Sequence, residues 1–422
     1  MTGWLRTIVI LVLTSQLLAA AGARGAGPSL LFDPASGEVL SHDREGEPWY
    51  PASLTKLMTA YLVFAKLKTG ELRPDQPIVI SETAHAQPPS KIGVPAGKTV
   101  TVDFALQALL VYSANDMAYA LAEAAGGGSW KTFVNAMNMK SRDLGMTGTR
   151  FMNPNGLFDP RHVSTARDIA ILAMALIRDF PEDAHYFSQA YVAVGKRKLS
   201  NRNSLIRQMP EADGMKTGFV CNSGFNLVAS ASRQGRKLVA VVFGAQSGKA
   251  RADLAEMLLI DGFSRGAAAA PKLSDLSNMP LGAVVPADMT ASVCKTKQMV
   301  SLVNAHDLSG WGISFGQYDS AQKADMALRG RLLSPSGSGA LGPSGVIEMP
   351  EKKGFAAMVW NLEQQASLDM CASYHRENAY CDVMSPEAFA GIAATVPTPD
   401  SGKTKTEAQG SDGESKPAEA PN

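Results

Sequence analysis

The order in which hydrophobic patterning changes along the chain restricts its fold more than any other feature. Two short apolar runs, Leu30-Leu31-Phe32-Asp33 and Gly37-Glu38-Val39-Leu40, are separated by a Pro34-Ala35-Ser36-Gly37 turn and predict a strand, a turn and a second strand. Helical spacing then takes over: Leu54, Leu57, Met58, Tyr61 and Leu62 recur on one helical face, and so do Leu106, Leu109, Leu110, Ala114 and Met117. Toward Ser230 the pattern returns to strands, 226–230 and 237–243, around the polar turn Arg233-Gln234-Gly235-Arg236. Helices between early and late strands predict a mixed α/β (α+β) unit ending near Ala270.

At 422 residues the chain exceeds the usual single-domain size, which predicts a leader and two folded units. Residues 1–23 read as a secretory signal: Arg6, an apolar stretch from Thr7 to Leu18, and the small residues Ala21-Gly22-Ala23. The apolar stretch is shorter than the roughly 20 residues needed to span a bilayer, which weighs against a single anchoring helix. The first folded unit is placed at 29–266. Gly266-Ala267-Ala268-Ala269-Ala270-Pro271 opens a linker, 267–300, and a small unit follows at 301–386. Within it, strands are predicted at 311–315, 346–349, 355–359 and 380–384. Helices are predicted from Ser320 through Leu333 and from Asn361 to Tyr374, with a flexible loop at 334–344, a β-α-β-β-α-β order. The tail, 396–422, is too poor in apolar residues to order itself.

Pro51-Ala52-Ser53-Leu54-Thr55-Lys56 puts a hydroxyl and an amine three residues apart at a predicted helix start, hence on one face and one turn apart. A serine hydroxyl is a weak nucleophile until a neighbour takes its proton, and a partly desolvated lysine has the lowered pKa to do so. Alone, such a pair is more often a helix cap beside a solvated lysine. Two further elements change that balance. Tyr112-Ser113-Ala114-Asn115-Asp116 offers a hydroxyl and a carboxamide after an apolar helix, and Asp213-Gly214-Met215-Lys216-Thr217-Gly218 puts a cation and a hydroxyl on a predicted edge strand. In order, these form the Ser-x-x-Lys, Ser-x-Asn, Lys-Thr-Gly set of penicillin-recognising serine enzymes.

With these motifs the chain resembles the low-molecular-mass penicillin-binding proteins, the serine-type D-alanyl-D-alanine carboxypeptidases of the peptidase S11 family. Matching segments run from about Leu31 to Phe263: PASLTKLMT at 51–59, PPSKIGVPAG at 88–97, SANDMA at 113–118, NPNGL at 153–157, STARDIA at 164–170, DGMKTG at 213–218 and GFNLVAS at 224–230. The resemblance implies a β-lactamase/transpeptidase-like domain, an antiparallel sheet flanked by helices with the site at the sheet edge. It implies that Ser53 attacks the penultimate D-alanine carbonyl, Lys56 takes its proton and Ser113 relays it to the leaving amine. Asn115 would bind the substrate backbone, Lys216 would add positive potential, and Thr217 with Arg202 would hold the terminal carboxylate. The backbone N–H groups of Ser53 and Phe219 would form the oxyanion hole. Phe219 stands where the family often has histidine, a change that a main-chain donor tolerates.

The implied activity is removal of the terminal D-alanine from peptidoglycan pentapeptides in the periplasm, with stem peptides and glycan as partners and β-lactams as covalent inhibitors. A D,D-endopeptidase cutting cross-links uses the same nucleophile, and a non-catalytic peptidoglycan-binding factor is the alternative from another class. A β-lactamase is disfavoured, because no Glu-x-x-Leu-Asn element is present to activate a deacylating water. No cofactor or metal is expected, since His42, His85, His162, His185, His306 and His375 show no zinc-like spacing. Lys+Arg 40 against Asp+Glu 39, net +1, argues against a nucleic-acid partner. The family's usual C-terminal amphipathic membrane helix is not visible.

Four cysteines, Cys221, Cys294, Cys371 and Cys381, allow three complete pairings that spacing does not decide. Cys371 with Cys381 is the expected pair, and Cys221 is read as packing or a disulfide partner rather than a nucleophile. Arg167 and Asp168 are read as structural, and Asp159, His162 and Arg251 receive no catalytic step. The small unit resembles a SPOR-type peptidoglycan-binding repeat in its element order and in Phe315-Gly316-Gln317-Tyr318 followed by Ala321, Ala324 and Leu328. It is expected to position the catalytic domain while leaving hydrolysis in solution nearly unchanged without it.

Overall fold

The structure, a computed structural model, describes residues 27–265, 270–294, 300, 302–339, 342–349 and 354–395. The expected leader at 1–23, the tail at 396–422 and parts of the linker lie outside the described residues. Strands β1 (Ser29–Phe32) and β2 (Val39–Asp43) open the catalytic domain, and a 3-10 turn at Ala52–Thr55 leads into α1 (Lys56–Lys68). A small ribbon, β3 (Pro77–Val79) and β4 (Thr99–Thr101), precedes α2 (Val102–Gln107), α3 (Asn115–Ala125), α4 (Trp130–Asp143) and α5 (Ala166–Asp179). A second ribbon, β5 (Tyr191–Val194) and β6 (Arg197–Ser200), is followed by the long strands β7 (Ala212–Val220), β8 (Gly224–Arg233) and β9 (Arg236–Ala245), and by α6 (Gly248–Ser264).

The main sheet is antiparallel with order β2-β1-β9-β8-β7, so β7 and its Lys-Thr-Gly motif occupy the expected edge. Side chains alternate between the two faces of a strand. Thus Val239, Val241 and Phe243 of β9 enter the large core shared with α1, α3 and α5, while Leu238, Ala240 and Val242 pack with Ala255, Leu258 and Leu259 of α6. Helix α1 is apolar nearly all round and is buried at Leu57, Met58, Ala60, Val63 and Phe64, as expected of a central helix. Ser129, Thr165 and Ser247 cap α4, α5 and α6 by accepting the N–H of Thr132, Asp168 and Ala250. Such a cap contributes about 1 kcal/mol.

One helical expectation is corrected here. The spacing of Leu106, Leu109, Leu110, Ala114 and Met117 reads as one helix, but α2 passes into a π turn at Ala108–Tyr112 and stops at Ser113, whose φ is +67°. The apolar positions stay buried on both sides of the break, so periodicity alone conceals it.

The linker stretch is also not a free tether where it is described. Pro271 and Lys272 lie against β2, Leu273 is buried, and Asn278 accepts a hydrogen bond from Thr165. A disulfide joins Cys221 in the β7–β8 turn to Cys294, and Cys371 pairs with Cys381 as expected.

In the C-terminal domain, β10 (Trp311–Tyr318), α7 (Ala321–Leu333), β11 (Ser344–Met349), β12 (Gly354–Leu362), α8 (Gln364–Arg376) and β13 (Asp382–Met384) follow the anticipated order. Ser320 caps α7 by accepting from Lys323 N–H. Asn361 and Leu362 belong to β12 rather than to the following helix, and a 3-10 turn, Pro335–Gly339, stands inside the expected loop. A further helix, α9 (Pro386–Thr395), extends past the expected boundary. Its Phe389 and Ile392 cover the sheet face opposite α7 and α8, with the Phe389 ring where a Cβ on Gly312 would fall. No helix among the described residues is long and apolar enough to cross a membrane.

Candidate active site

The three motifs meet between the edge of β7 and the N-terminus of α1. Ser53 sits in the 3-10 turn, and Lys56, fully buried, is the first residue of α1. Lys56 Nζ donates to Ser53 Oγ at 2.9 Å, to Asn115 Oδ1 at 2.8 Å and to the Asn155 carbonyl at 2.7 Å. Burial disfavours the ammonium and lowers the Lys56 pKa to about 7, although the Asp116 carboxylate pulls the other way. An amine available near neutral pH therefore touches the serine hydroxyl.

The backbone before the nucleophile is held in an unfavourable conformation. Ala52 has φ +48°, which a non-glycine residue adopts only where its surroundings impose it. Thr55 Oγ1 donates to the Ala52 carbonyl, and Asn226 Nδ2 donates to the carbonyls of Tyr50 and Pro51. Gly156 closes the same turn from the other side: a Cβ there would lie 1.9 Å from the Ala52 oxygen.

Ser113, at the break between the π turn and α3, accepts a hydrogen bond from Lys216 Nζ at 2.9 Å. Lys216 also donates to the Thr217 carbonyl and is buried. Burial, with the charges of Lys56, Arg251 and Arg202 added, holds its pKa well below the ordinary lysine value. Asn115, beyond its contact with Lys56, donates to the Pro88 carbonyl, and its own N–H reaches the Ser90 carbonyl. The buried Asp116 accepts from the N–H groups of Ile92, Gly93 and Met117, tying the 88–93 loop to α3.

At the other end, Gly218 packs on the nucleophile turn, with the place of a Cβ only 2.8 Å from the Pro51 carbonyl and 3.1 Å from Ser53 N. This close approach brings Phe219 alongside Ser53. Phe219 is 41% exposed, and its ring lies tilted by 33° against Phe225 with centroids 4.3 Å apart. Thr217 is buried beside it, and the exposed Arg202 lies over the Tyr112 ring at 4.4 Å.

All the sequence-predicted site residues are thus brought into one region, together with two contributors to which the sequence assigned no role, Arg251 and the Asn155 carbonyl. Arg251, on α6, passes beneath β7 and β8 and donates to the carbonyls of Gly218 and Asn226, and its other amino group approaches the Arg202 carbonyl. Burial, with the Arg202 charge, lowers its pKa to about 10, so it stays cationic. The Asn155 carbonyl is main chain and leaves no signal in side-chain identity. His162, buried against Thr55, has its pKa lowered by burial to about 4 and is neutral, a packing group rather than a base. Among the described residues no group of three or more His, Cys, Asp or Glu side chains is placed to hold a metal ion. The arrangement can activate a hydroxyl, receive an anion and exchange a proton with a leaving group.

Comparison with known proteins agrees with this chemistry. The Peptidase S11 family profile, described as D-alanyl-D-alanine carboxypeptidase, matches residues 16–247. The chain is 36% identical over 241 residues to D-alanyl-D-alanine carboxypeptidase DacC of Escherichia coli K12, covering 56% of this chain and 60% of that protein. It is 37% identical over 240 residues to DacA of Haemophilus influenzae, covering 56% and 61%. The chain thus spans about three fifths of the length of these curated relatives. Penicillin binding protein 5 from Haemophilus influenzae superposes with a TM-score of 0.55 at 36% identity, over 57% of this chain and 71% of that one. Penicillin-Binding Protein D2 from Listeria monocytogenes, in its cefotaxime-bound form, gives 0.52 at 30%, over 57% and 98%.

Proposed function

Because the chain belongs to the Peptidase S11 family of D-alanyl-D-alanine carboxypeptidases, we propose that it removes the terminal D-alanine from peptidoglycan stem peptides through an acyl-enzyme at Ser53. The observation that carries this reading is Lys56, fully buried, lowered to a pKa of about 7 and 2.9 Å from the Ser53 hydroxyl. Ser53 Oγ attacks the penultimate D-alanine carbonyl while its proton passes to the Lys56 amine. The oxyanion is held by the N–H groups of Ser53 and Phe219. Collapse breaks the peptide C–N bond, and Ser113, hydrogen-bonded to Lys216, relays a proton to the departing amine. Water then attacks the ester and frees Ser53.

Asn115 orients the peptide, and Thr217, Arg202 and Lys216 hold the terminal carboxylate, with Arg251 adding charge behind them. β-Lactams acylate the same serine, a reading consistent with the cefotaxime-bound Listeria relative. The leader-like sequence of residues 1–23 and the two disulfides support a periplasmic location. Incubation with a peptide ending in D-alanyl-D-alanine tests the assignment by release of free D-alanine; no release across neutral and mildly alkaline pH would reject it.

The carboxylate assignment makes a sharper prediction. Arg202→Ala removes a charge-assisted contact worth about 1.5 to 3 kcal/mol, so kcat/KM for a free-carboxylate peptide should fall roughly ten- to a hundredfold. The amidated peptide, which lacks the anion, should be nearly unaffected. Equal losses for both peptides would show that Arg202 does not read the carboxylate.

A further inference from the structure

The contacts that seat the C-terminal domain on the catalytic domain converge on segments next to Ser53. Arg150 of the catalytic domain donates to the Leu332 carbonyl at 2.7 Å and approaches those of Leu333 and Ser334, capping the C-terminal end of α7 with a cation. Helix carbonyls lack partners there and the dipole favours positive charge. Leu333 is fully buried against Tyr50 and Val163. Arg329, one turn earlier on α7, is the centre of the contact. Its Nη1 donates to Asp288 Oδ2 at 3.0 Å and to the Tyr50 hydroxyl at 3.3 Å, and its Nε lies 2.8 Å from Asp325 Oδ2. The guanidinium also stands over the Phe158 ring, 5.3 Å from its centroid.

Each partner of Arg329 outside α7 leads to a different wall of the site. Tyr50 begins the Tyr50-Pro51-Ala52-Ser53 segment, whose carbonyls are pinned by Asn226. Phe158 meets Tyr50 edge-on at 5.1 Å and ends the turn that supplies the Asn155 carbonyl to Lys56. Asp288 accepts from Asn222 in the β7–β8 turn, beyond the strand that carries Lys216 and Thr217, and the neighbouring Cys221 is bonded to Cys294.

Between these contacts lies the turn with Ala52 at φ +48°. A strained backbone persists only where its surroundings over-determine it, and part of that constraint here comes from another domain. Ser53, Lys56 and the Asn155 carbonyl must keep their mutual geometry for the amine to reach the hydroxyl, and a shift of about 1 Å can cost a hundredfold in rate.

We infer that Arg329 is a positioning residue through which the C-terminal domain holds the 50–53 segment and the 155–158 turn in register for acylation of Ser53. The inference rests on the Ser53 chemistry proposed above. It replaces the sequence-based expectation that this domain leaves hydrolysis in solution untouched: undocking lowers turnover although no reacting group is lost.

The test uses the full chain and a fluorescent penicillin, with the limiting acylation rate and the half-saturating concentration read separately. Arg329→Ala should lower the limiting rate about ten- to a hundredfold while the half-saturating concentration moves less than about threefold. Asp288→Asn should give a similar fall, and the double variant should be no slower than the slower single one, because both break one network. Arg329→Lys, which keeps the charge opposite Asp288, should recover part of the rate, and with Asp288→Asn it decides the question if the alanine variant does not fold. Wild-type rates in these variants, losses that multiply, or an effect confined to the half-saturating concentration would overturn the coupling. A wild-type chain that is never acylated would overturn the Ser53 reading itself.

Discussion

Lys56→Ala should eliminate measurable acylation of Ser53 by both peptide and penicillin while the fold survives. The loss should be at least about 10²- to 10⁴-fold, the usual contribution of a positioned general base. No other described side chain is placed to substitute. Lys216 is directed to Ser113 and the Thr217 carbonyl, and His162 is directed to Thr55 and Met152. Removing a fully buried amine also relieves a desolvated charge, so the melting temperature should not fall in proportion to the activity.

The same residue sets the pH profile. The reactive form is the neutral amine, and burial lowers the Lys56 pKa to about 7. Acylation should therefore rise with pH through about 7 and level off above it, falling about tenfold per unit on the acid side. Stopped-flow acylation at fixed penicillin concentration reads this directly; a flat profile from pH 5 to 9 would mean that Lys56 is not the base.

Gly156→Ala is expected to be the most damaging to acylation of the single-methyl changes at the described glycines. Gly156 has φ +83°, and its added Cβ would lie 1.9 Å from the Ala52 oxygen and 2.9 Å from Thr55 Oγ1. The strained φ alone should cost more than about 1 kcal/mol. The clash is with main chain, which cannot rotate aside, so either the 155–158 turn or the Ala52–Ser53 segment must move. Movement of either separates Ser53, Lys56 and the Asn155 carbonyl, and acylation should drop about a hundredfold or more. Gly145→Ala is the control, since Gly145 has φ +76° but open space around the added methyl. It should lower the melting temperature while leaving acylation within about twofold of wild type, as expected of a strain confined to a distant turn. Similar activity losses in both variants would show that the contact between Gly156 and Ala52 carries no special weight.

The side chains of the candidate site were legible because their chemistry and order are informative without coordinates. A hydroxyl and an amine at Ser53 and Lys56 fall within one helical turn, and Lys216 with Thr217 sits on a strand whose neighbours predict an edge. The contributors that were not legible act through position alone. The Asn155 carbonyl is main chain, Arg251 reaches β7 because α6 packs across the sheet, and Arg329 reaches Tyr50 because two domains dock. Periodicity likewise hid the break at Ser113, where apolar positions continue on both sides of a left-handed residue. Composition marked 267–300 as a linker, because polar contacts such as those of Asn278 and Asp288 resemble an exposed tether until their partners are placed. Helix α9 was missed where an Ala-rich segment runs into a polar tail, and only Phe389 and Ile392 disclose its buried face.

The central claim, that Ser53 is the nucleophile activated by Lys56, is tested most directly by intact-protein mass spectrometry after exposure to penicillin, followed by peptide mapping. The account predicts one adduct of the mass of the drug, located on the peptide that contains Ser53 and persisting far longer than a productive cycle. It should be absent from Ser53→Ala and Lys56→Ala. An adduct that survives in Ser53→Ala, that maps elsewhere, or that forms undiminished in Lys56→Ala would contradict it.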